Sequence, residues 1–300
     1  MFQQVVDAGS YSGAARALHC SQPAVSQQMR ALERALGGPL FVRVGRTLRL
    51  TEAGRALARH SQTILGDLAV AHRQVQAISA LDVGTVRICA FPSANASLVP
   101  RAAALLRAGS TRMRLELSEL EPPESLAMLR RAECDVVVSF SYDGEDSDAT
   151  AGMIRTPLLT EPLLLLVPVS HRLVDHGRLD AGTPQRPADL GALAGETWIA
   201  GCPTCRLTFI AACDRAGFEP DIVCSTDDNM ALQSLVAAGL GVTLVPRLVL
   251  SFLRHPEVVA IPVDPPTLRH ISAYTWPDLA RVDAIRHTLE ALHTAANRIP

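Results

Sequence analysis

The hydrophobic positions of this 300-residue chain change their period twice. Over the first 50 residues they recur at helical intervals interrupted by Gly9-Ser10, Cys20-Ser21 and Gly37-Gly38-Pro39, which predicts short helices joined by tight turns. Val25, Met29, Leu32 and Leu36, spaced by four, three and four, form one apolar stripe on one helix. The segment from Leu40 to Leu50 alternates apolar residues with Arg43, Arg46 and Arg49 about Gly45, the period-two pattern of a small hairpin. A long helical pattern then opens at Thr51, whose hydroxyl suits an N-cap. Leu57, Ile64, Leu68, Val75 and Ile78 follow at coiled-coil spacing, and Asp82-Val83-Gly84 breaks the run near Leu81.

From Thr85 the pattern alternates. Strands are predicted at Val86 to Ala90, Leu115 to Leu120 and Val136 to Phe140, with helices at Ala94 to Ala108 and Glu124 to Ala132 between them. The alternation resumes after Leu163 through Trp198-Ile199, a helix around Phe209 to Ala216, Ile222-Val223, a helix from Met230 to Ala238, and Val242 to Val245. This is an α/β pattern with helices on both faces of a largely parallel sheet, built as two similar lobes. The partition is a helical head with its hairpin at 1–54, a linker helix at 51–81 and a body at 84–300. Lobe I takes 84–160 and 266–300, and lobe II takes 161–265.

Charge divides the same way. Residues 1–60 hold eight Arg against Asp7, Glu33 and Glu52, although the whole chain carries a net charge of -2. A basic head on an acidic body points to a polyanion as partner of the head alone. Met1 leads straight into an amphipathic stretch without a basic leader, and the longest apolar run, Pro162 to Val169, is too short to span a bilayer and reads as a buried strand. A cytoplasmic protein without a membrane partner is expected. Seven irregularly spaced cysteines fit reduced thiols in that compartment.

Within the head, small Ala14 and Ala15 admit a second helix at close range, residues Leu18 to Ser21 make a turn, and Ser21 caps the helix after it. Pro23 is tolerated in a first turn, where its missing N–H has no partner to lose. Gln22, Ser26, Gln27 and Arg30 lie opposite the apolar stripe. Their chemistry suits the major groove, since Gln pairs with adenine, Arg with guanine, and Ser with a base or a phosphate. An ordinary solvated helix face has the same residue types; the adjoining hairpin, whose arginines can reach phosphates or a narrow minor groove, tips the balance toward DNA.

The run Ala14-Ala15-x-x-Leu18, Ser21-Gln22-Pro23-Ala24-Val25-Ser26, Leu32-Glu33, Leu40-Phe41-x-Arg43 and Leu50-Thr51-x-Ala53-Gly54 resembles the LysR-type transcriptional regulators in order and spacing. The resemblance implies a winged helix-turn-helix with Ser21, Gln22, Pro23, Ser26, Gln27 and Arg30 as recognition-helix contacts and Arg43 and Arg46 as wing contacts. Leu18, Val25 and Leu36 are similar to the family's core positions. The first helix reads as shortened, because family members carry further residues ahead of the position of Phe2. The linker helix would dimerise, and two dimers would join, although packing against its own chain is the plainer reading of its stripe. Double-stranded DNA, a second copy of the chain, a small-molecule effector and RNA polymerase are the implied partners.

Gly84-Thr85-Val86-Arg87-Ile88 and the segment from Val236 to Pro246 resemble the family's effector domain, which has the periplasmic-binding-protein fold. The resemblance places a ligand between the lobes, with helix N-termini offering N–H groups to anions, so that a carboxylate would be a common choice. Ser93, Ala94 and Asn95 follow the first strand, and Cys202, Thr204 and Thr226 follow strands of the second lobe; each is an effector-binding candidate, and each also fits helix capping or turn chemistry. No resident cofactor or metal is called for.

Cys202-Pro203-Thr204-Cys205 precedes a helix, with Cys213 two turns further on, and this set opens a thiol-based redox alternative for the regulator or, beyond that, a thiol oxidoreductase. A zinc site lacks a fourth ligand at a recognisable spacing. A solute-binding protein would fit the body and should carry an export signal. No nucleophile elbow or metal-spaced His pair suggests a hydrolase, and no enzymatic activity is expected.

Overall fold

The computed structural model describes residues 1–44, 47–79, 85–108, 113–142, 150–180 and 183–299. Gly45 and Arg46 of the expected hairpin, the break at 81–84, and residues 143–149 lie outside them, as does the side chain of Ile78. The described residues form two compact units: Met1–Arg73, and the chain from Gln74 onward apart from residues 130–132.

In the first unit α1 (Phe2–Ala8), α2 (Tyr11–Ala17) and α3 (Gln22–Leu36) are followed by strands β1 (Phe41–Val44) and β2 (Thr47–Leu50) and by α4 (Glu52–Ser79), whose residues from Gln74 onward are counted with the second unit. Ser10 Oγ accepts from the Gly13 N–H at 3.1 Å and Ser21 Oγ from the Ala24 N–H at 3.4 Å, so both inner helices start on hydroxyl caps. Ala14 and Ala15 are buried, and Val25 and Met29 meet Phe2, Val5 and Leu40 in one small core. Leu36 departs from the expected stripe. It is 54% exposed, because α3 ends at Gly37, in the left-handed region with φ +78, beyond the reach of that core.

The entry into α4 is tightly specified. Thr51 Oγ1 accepts from the Gly54 N–H at 3.0 Å and donates to the Pro39 carbonyl at 2.8 Å. A Cβ on Gly54 would sit 2.1 Å from the Leu40 carbonyl oxygen, so only glycine lets the helix approach the chain leading into the hairpin. Further along α4, Ile64 and Leu68 are 63% and 66% exposed, and Leu65 and Val75 are exposed as well.

The second unit opens with β3 (Thr85–Ala90), α5 (Pro92–Ala96), α6 (Leu98–Ala108), β4 (Arg114–Glu119), α7 (Glu124–Arg130), β5 (Val136–Tyr142) and the long β6 (Ile154–Pro168). The helix expected over Ala94 to Ala108 is divided at Ser97, whose hydroxyl turns back to the Ser93 carbonyl. Then come α8 (His176–Asp180), β7 (Ala188–Asp189), β8 (Thr197–Ala200), α9 (Pro203–Arg215), β9 (Asp221–Ser225), α10 (Asn229–Ala237), β10 (Thr243–Pro246), β11 (Val258–Asp264), β12 (Leu268–Thr275) and α11 (Asp283–Ala296). The main sheet runs β4-β3-β5-β12-β6-β11-β7, with β10 also on β6, while β8 and β9 pair in parallel in a second sheet.

Only part of the main sheet is parallel. β3 pairs in parallel with β4 and β5, as βαβ connections require, but β12 is antiparallel to both β5 and β6, and β6 is antiparallel to β10 and β11. The difference from the expected parallel sheet arises where the chain crosses between lobes: β6 is 15 residues long and serves both, and the returning strands run against it. Its apolar half is fully buried at Leu165, Leu166 and Val167, as the sequence predicts.

At the crossing a charged pair lies inside the protein. Arg269 on β12 and Glu161 on β6 are 2% and 1% exposed, and Glu161 Oε1 accepts from Arg269 Nε at 2.9 Å and Nη2 at 2.6 Å. The guanidinium lies against the edge-to-face rings of Phe91 and Phe140, 4.8 and 4.9 Å from their centroids, and Glu161 Oε2 accepts from the Leu248 N–H. Glu161→Gln, which leaves Arg269 buried without its counter-charge, is expected to destabilise the chain by about 3–5 kcal/mol, whereas Glu161→Leu combined with Arg269→Met recovers most of that loss. Urea unfolding of the three proteins checks both expectations.

Candidate nucleic-acid interface and ligand cleft

On the head, the side of α3 opposite Val25 and Met29 presents Gln22, Pro23, Gln27 and Arg30 to solvent, with Ser26 half-buried among them. Ser21 is exposed and its hydroxyl is the helix cap. Arg30 Nη2 donates to Ser26 Oγ at 3.1 Å, one helical turn away, which restrains the guanidinium along the helix. Arg43 is exposed on β1, in register with Leu48 of β2. The Tyr11 phenol is pushed up chiefly by burial and by Glu33, while Arg43 and Arg30 both act on it in the opposite direction. Beside α3 an open depression of about 860 Å³ is lined by Pro23, Gln27, Arg30, Glu33 and Arg34. Arg46 lies outside the described residues.

Glu33 has a role that its residue type alone does not announce. Its Oε1 accepts from the Leu40 N–H at 2.8 Å and the Phe41 N–H at 3.3 Å, fixing the start of the hairpin to α3. The available signal was an acid seven residues before a backbone amide that follows Gly37-Gly38-Pro39.

In the body, β3 leads through Phe91 into α5, β8 through Gly201 into α9, and β9 through Thr226 into α10, so three strand-to-helix turns converge. Between them is a cavity of about 40 Å³ whose lining includes Ser93, Glu121, Cys202, Thr226, Asp227 and Arg269. Of the six effector-binding candidates, Ser93, Cys202 and Thr226 line it, and Ala94, Asn95 and Thr204 do not. Ser93 Oγ accepts from Arg269 Nη2 at 3.2 Å. Thr226 Oγ1 accepts from the Asp228 N–H at 3.2 Å. Ala94 is buried in α5. Asn95 Nδ2 donates to the carbonyls of Ala90 and Ser118, tying the ends of β3 and β4 together. Thr204 Oγ1 donates at 3.2 Å to the Pro122 carbonyl, a direct bond across the cleft.

Two of the helix N-termini at this cleft are already occupied by the protein. Cys202 Sγ accepts from the Cys205 N–H at 3.3 Å, and Asp228 Oδ1 accepts from the N–H groups of Met230 and Ala231 at 2.8 and 3.3 Å. The Arg269 guanidinium is neutralised by Glu161. Glu121, which follows β4, has an Oε2 that is buried and lacks a hydrogen-bond partner among the described residues. Burial pushes its carboxyl group up, Asp227 and Glu119 add to the rise, and Arg269 and the Cys202 thiol oppose it. Glu121, Asp227 and Arg269 were not singled out in the sequence. A carboxylate before Pro122-Pro123 at a strand end was the one readable clue.

Cys202 and Cys205 are in sulfur contact: the Cys202 thiol donates to Cys205 Sγ at 2.8 Å, and the Tyr142 hydroxyl donates to Cys205 Sγ at 3.7 Å. The bond from Cys202 holds Cys205 below its ordinary value, with Arg269 assisting, and the same bond together with burial pushes Cys202 up. Cys213 belongs to a different environment. It is fully buried on α9 and burial pushes it up to about 12. Among the described residues no group of three or more His, Cys, Asp or Glu side chains is placed to hold a metal ion.

The family description "Bacterial regulatory helix-turn-helix protein, lysR family" matches residues 1–55, and "LysR substrate binding domain" matches residues 79–297. The chain is 29% identical over 268 residues to the Hca operon transcriptional activator HcaR of Escherichia coli (strain K12), covering 82% of this chain and 79% of that protein. Full-length CbnR complexed with its target DNA shares the fold with a TM-score of 0.57 at 23% identity, covering 98% of this chain and 97% of that one. The BenM effector binding domain with its effector benzoate has a TM-score of 0.58 at 22% identity, covering 71% of this chain and 92% of that one. With both halves matched in this order, the chain belongs to the LysR family of bacterial transcriptional regulators.

Proposed function

We propose that the head binds double-stranded DNA through α3 and the hairpin wing, that α4 pairs two copies of the chain, and that the body binds a small-molecule effector between its lobes. The observation that carries the reading is the row Gln22, Gln27 and Arg30, exposed on a helix whose opposite face is buried, with Arg43 exposed on β1. Gln27 and Arg30 supply base-edge hydrogen bonds, while Ser21, Gln22, Pro23, Ser26, Arg43 and Arg46 set the position on the backbone or in the neighbouring groove. CbnR bound to its target DNA and BenM holding benzoate, both alike in fold, supply the two binding roles carried over here.

One recognition helix reads few base pairs, so selective binding calls for a dimer, and the exposed Ile64, Leu65 and Leu68 on α4 give it an apolar seam. A dimer of dimers would present four heads to one site. Ligand binding shifts the lobes, and this alters the spacing or bend that the assembly imposes on DNA, with RNA polymerase as the downstream partner. No helix among the described residues is long and apolar enough to cross a membrane. The cytoplasm, where the DNA is, is the proposed location, and no catalytic turnover is part of the proposal.

A second reading, redox sensing, is favoured by the 2.8 Å sulfur contact of Cys202 and Cys205. With a peroxide as oxidant, the Cys205 thiolate would take the outer peroxide oxygen and release an alcohol or water. Cys202 would then displace water from the resulting sulfenic acid to close the disulfide. Cys213, buried and held protonated, would stay out of this exchange.

Arg30→Ala and Arg43→Ala are each expected to weaken binding to duplex fragments from the protein's own locus. Removing a base-edge hydrogen bond at Arg30 costs about 1–3 kcal/mol and relaxes one operator position, whereas removing a phosphate partner at Arg43 lowers the salt slope by about 1. Unchanged affinity and salt dependence in both variants, measured by fluorescence anisotropy across a salt series, would sink the interface. For the thiol reading, mild hydrogen peroxide should remove two titratable thiols in the wild type and leave no internal disulfide in Cys205→Ser. Retention of all seven free thiols in the wild type rules that reading out.

A further inference from the structure

The positively charged elements described at the cleft are already matched within the protein. Arg269 gives two hydrogen bonds to Glu161 and one to Ser93, and it also contacts the rings of Phe91 and Phe140. The first turn of α9 is capped by the Cys202 sulfur, and that of α10 by the Asp228 carboxylate. An anion entering here would have to displace one of these partners or share it. On the acidic side of the cavity, Glu121 Oε2 is buried without a hydrogen-bond partner among the described residues, and exposed Asp227 lines the same space. Both groups accept hydrogen bonds, and a buried carboxylate oxygen left unpaired is costly.

We propose that the effector carries a small cationic hydrogen-bond donor, a primary ammonium group, which enters the cleft cavity and bonds Glu121 Oε2 with Asp227 as its second acceptor. This rests on the cleft being the effector site. A compact head group is required, because the cavity of about 40 Å³ takes only a few non-hydrogen atoms. The charge pattern supplies selectivity as well as attraction. A carboxylate brought against Glu121 and Asp227 meets like charge in a partly dehydrated site, whereas an ammonium removes an existing desolvation cost. The neighbouring Cys202 thiol, held protonated by its bond to Cys205 and by burial, favours the charged form of Glu121 without pairing its Oε2. Arg269, although paired with Glu161, still favours the charged form of Glu121 more strongly than Glu119 and Asp227 disfavour it, so the attraction for an ammonium comes from the unpaired Glu121 Oε2 rather than from the net charge of the lining.

Thermal melting of the full chain with three probes of matched size, propylammonium, 1-propanol and propionate, tests this at neutral and at mildly acid pH. Propylammonium should raise the melting temperature at neutral pH, and the shift should shrink on acidification, because protonated Glu121 no longer offers a charge. Glu121→Gln, of equal size, should weaken propylammonium binding at least about tenfold, in line with loss of a charge-assisted hydrogen bond. Asp227→Asn, at an exposed position, should weaken it to a smaller degree, and it serves even if the Glu121 variant folds poorly. The ligand-free Glu121→Gln protein should itself melt above the wild type at neutral pH, since its folded-state carboxyl, raised above the unfolded value, loses stability as pH rises through the raised value. A propionate or propanol shift equal to or above that of propylammonium, lost on Thr226→Val, overturns the charge class and keeps the cleft as the effector site. No shift from any probe in any of these proteins overturns both.

Discussion

The geometry of the body depends on one buried contact between unlike charges. Arg269 and Glu161 stand 108 positions apart in the chain and meet where β12 and β6 cross from one lobe to the other. Neither would remain there alone, because an uncompensated charge in that environment is far more costly than the pair. The contact therefore fixes which residues of β12 lie opposite β6. It also reaches outward: through Ser93 the guanidinium holds the first turn of α5, and through Leu248 the carboxylate holds the chain after β10. The floor of the cleft is thus anchored in both lobes by two side chains.

With the floor fixed, the cleft is defined by which polar groups the protein has used and which it has not. Cys202 and Asp228 cap their helices, Asn95 ties two strand ends, and Thr204 bonds across the gap to Pro122. Groups that resemble ligand contacts in the sequence are in several cases fasteners. What remains for a ligand is mostly acceptor character, concentrated at Glu121 and Asp227. The thiol contact beside them depends on the same arrangement, since the cap that Cys202 makes on α9 is also what brings its sulfur to Cys205.

The head solves a smaller problem with a smaller core. Its buried residues are few, so the hairpin is held less by packing than by specific polar ties, Glu33 to the Leu40 and Phe41 amides and Thr51 to Pro39 and Gly54. These ties join the end of α3, the base of the wing and the start of α4. The exposed row on α3 and Arg43 on β1 are thereby carried on a frame that resists independent movement, which direct reading of base edges requires.

Local features of this protein are determined by the sequence alone. The stripe of Val25 and Met29, the caps at Ser21 and Thr51, the turn at Gly37, the period-two hairpin and the apolar run ending β6 each depend on residues within a turn or two of one another. Short-range backbone geometry therefore suffices to set them. Tertiary structure decided the rest. It left Leu36 outside a core too small to reach it, split the helix at Ser97, reversed strands at the lobe crossing, and spent Thr204 and Asn95 on holding the fold. It also joined Arg269 to Glu161 and left Glu121 with a buried oxygen unpaired. Such outcomes depend on which distant surfaces come into contact, and no periodicity within a segment encodes the partner that a side chain meets once the chain has closed on itself.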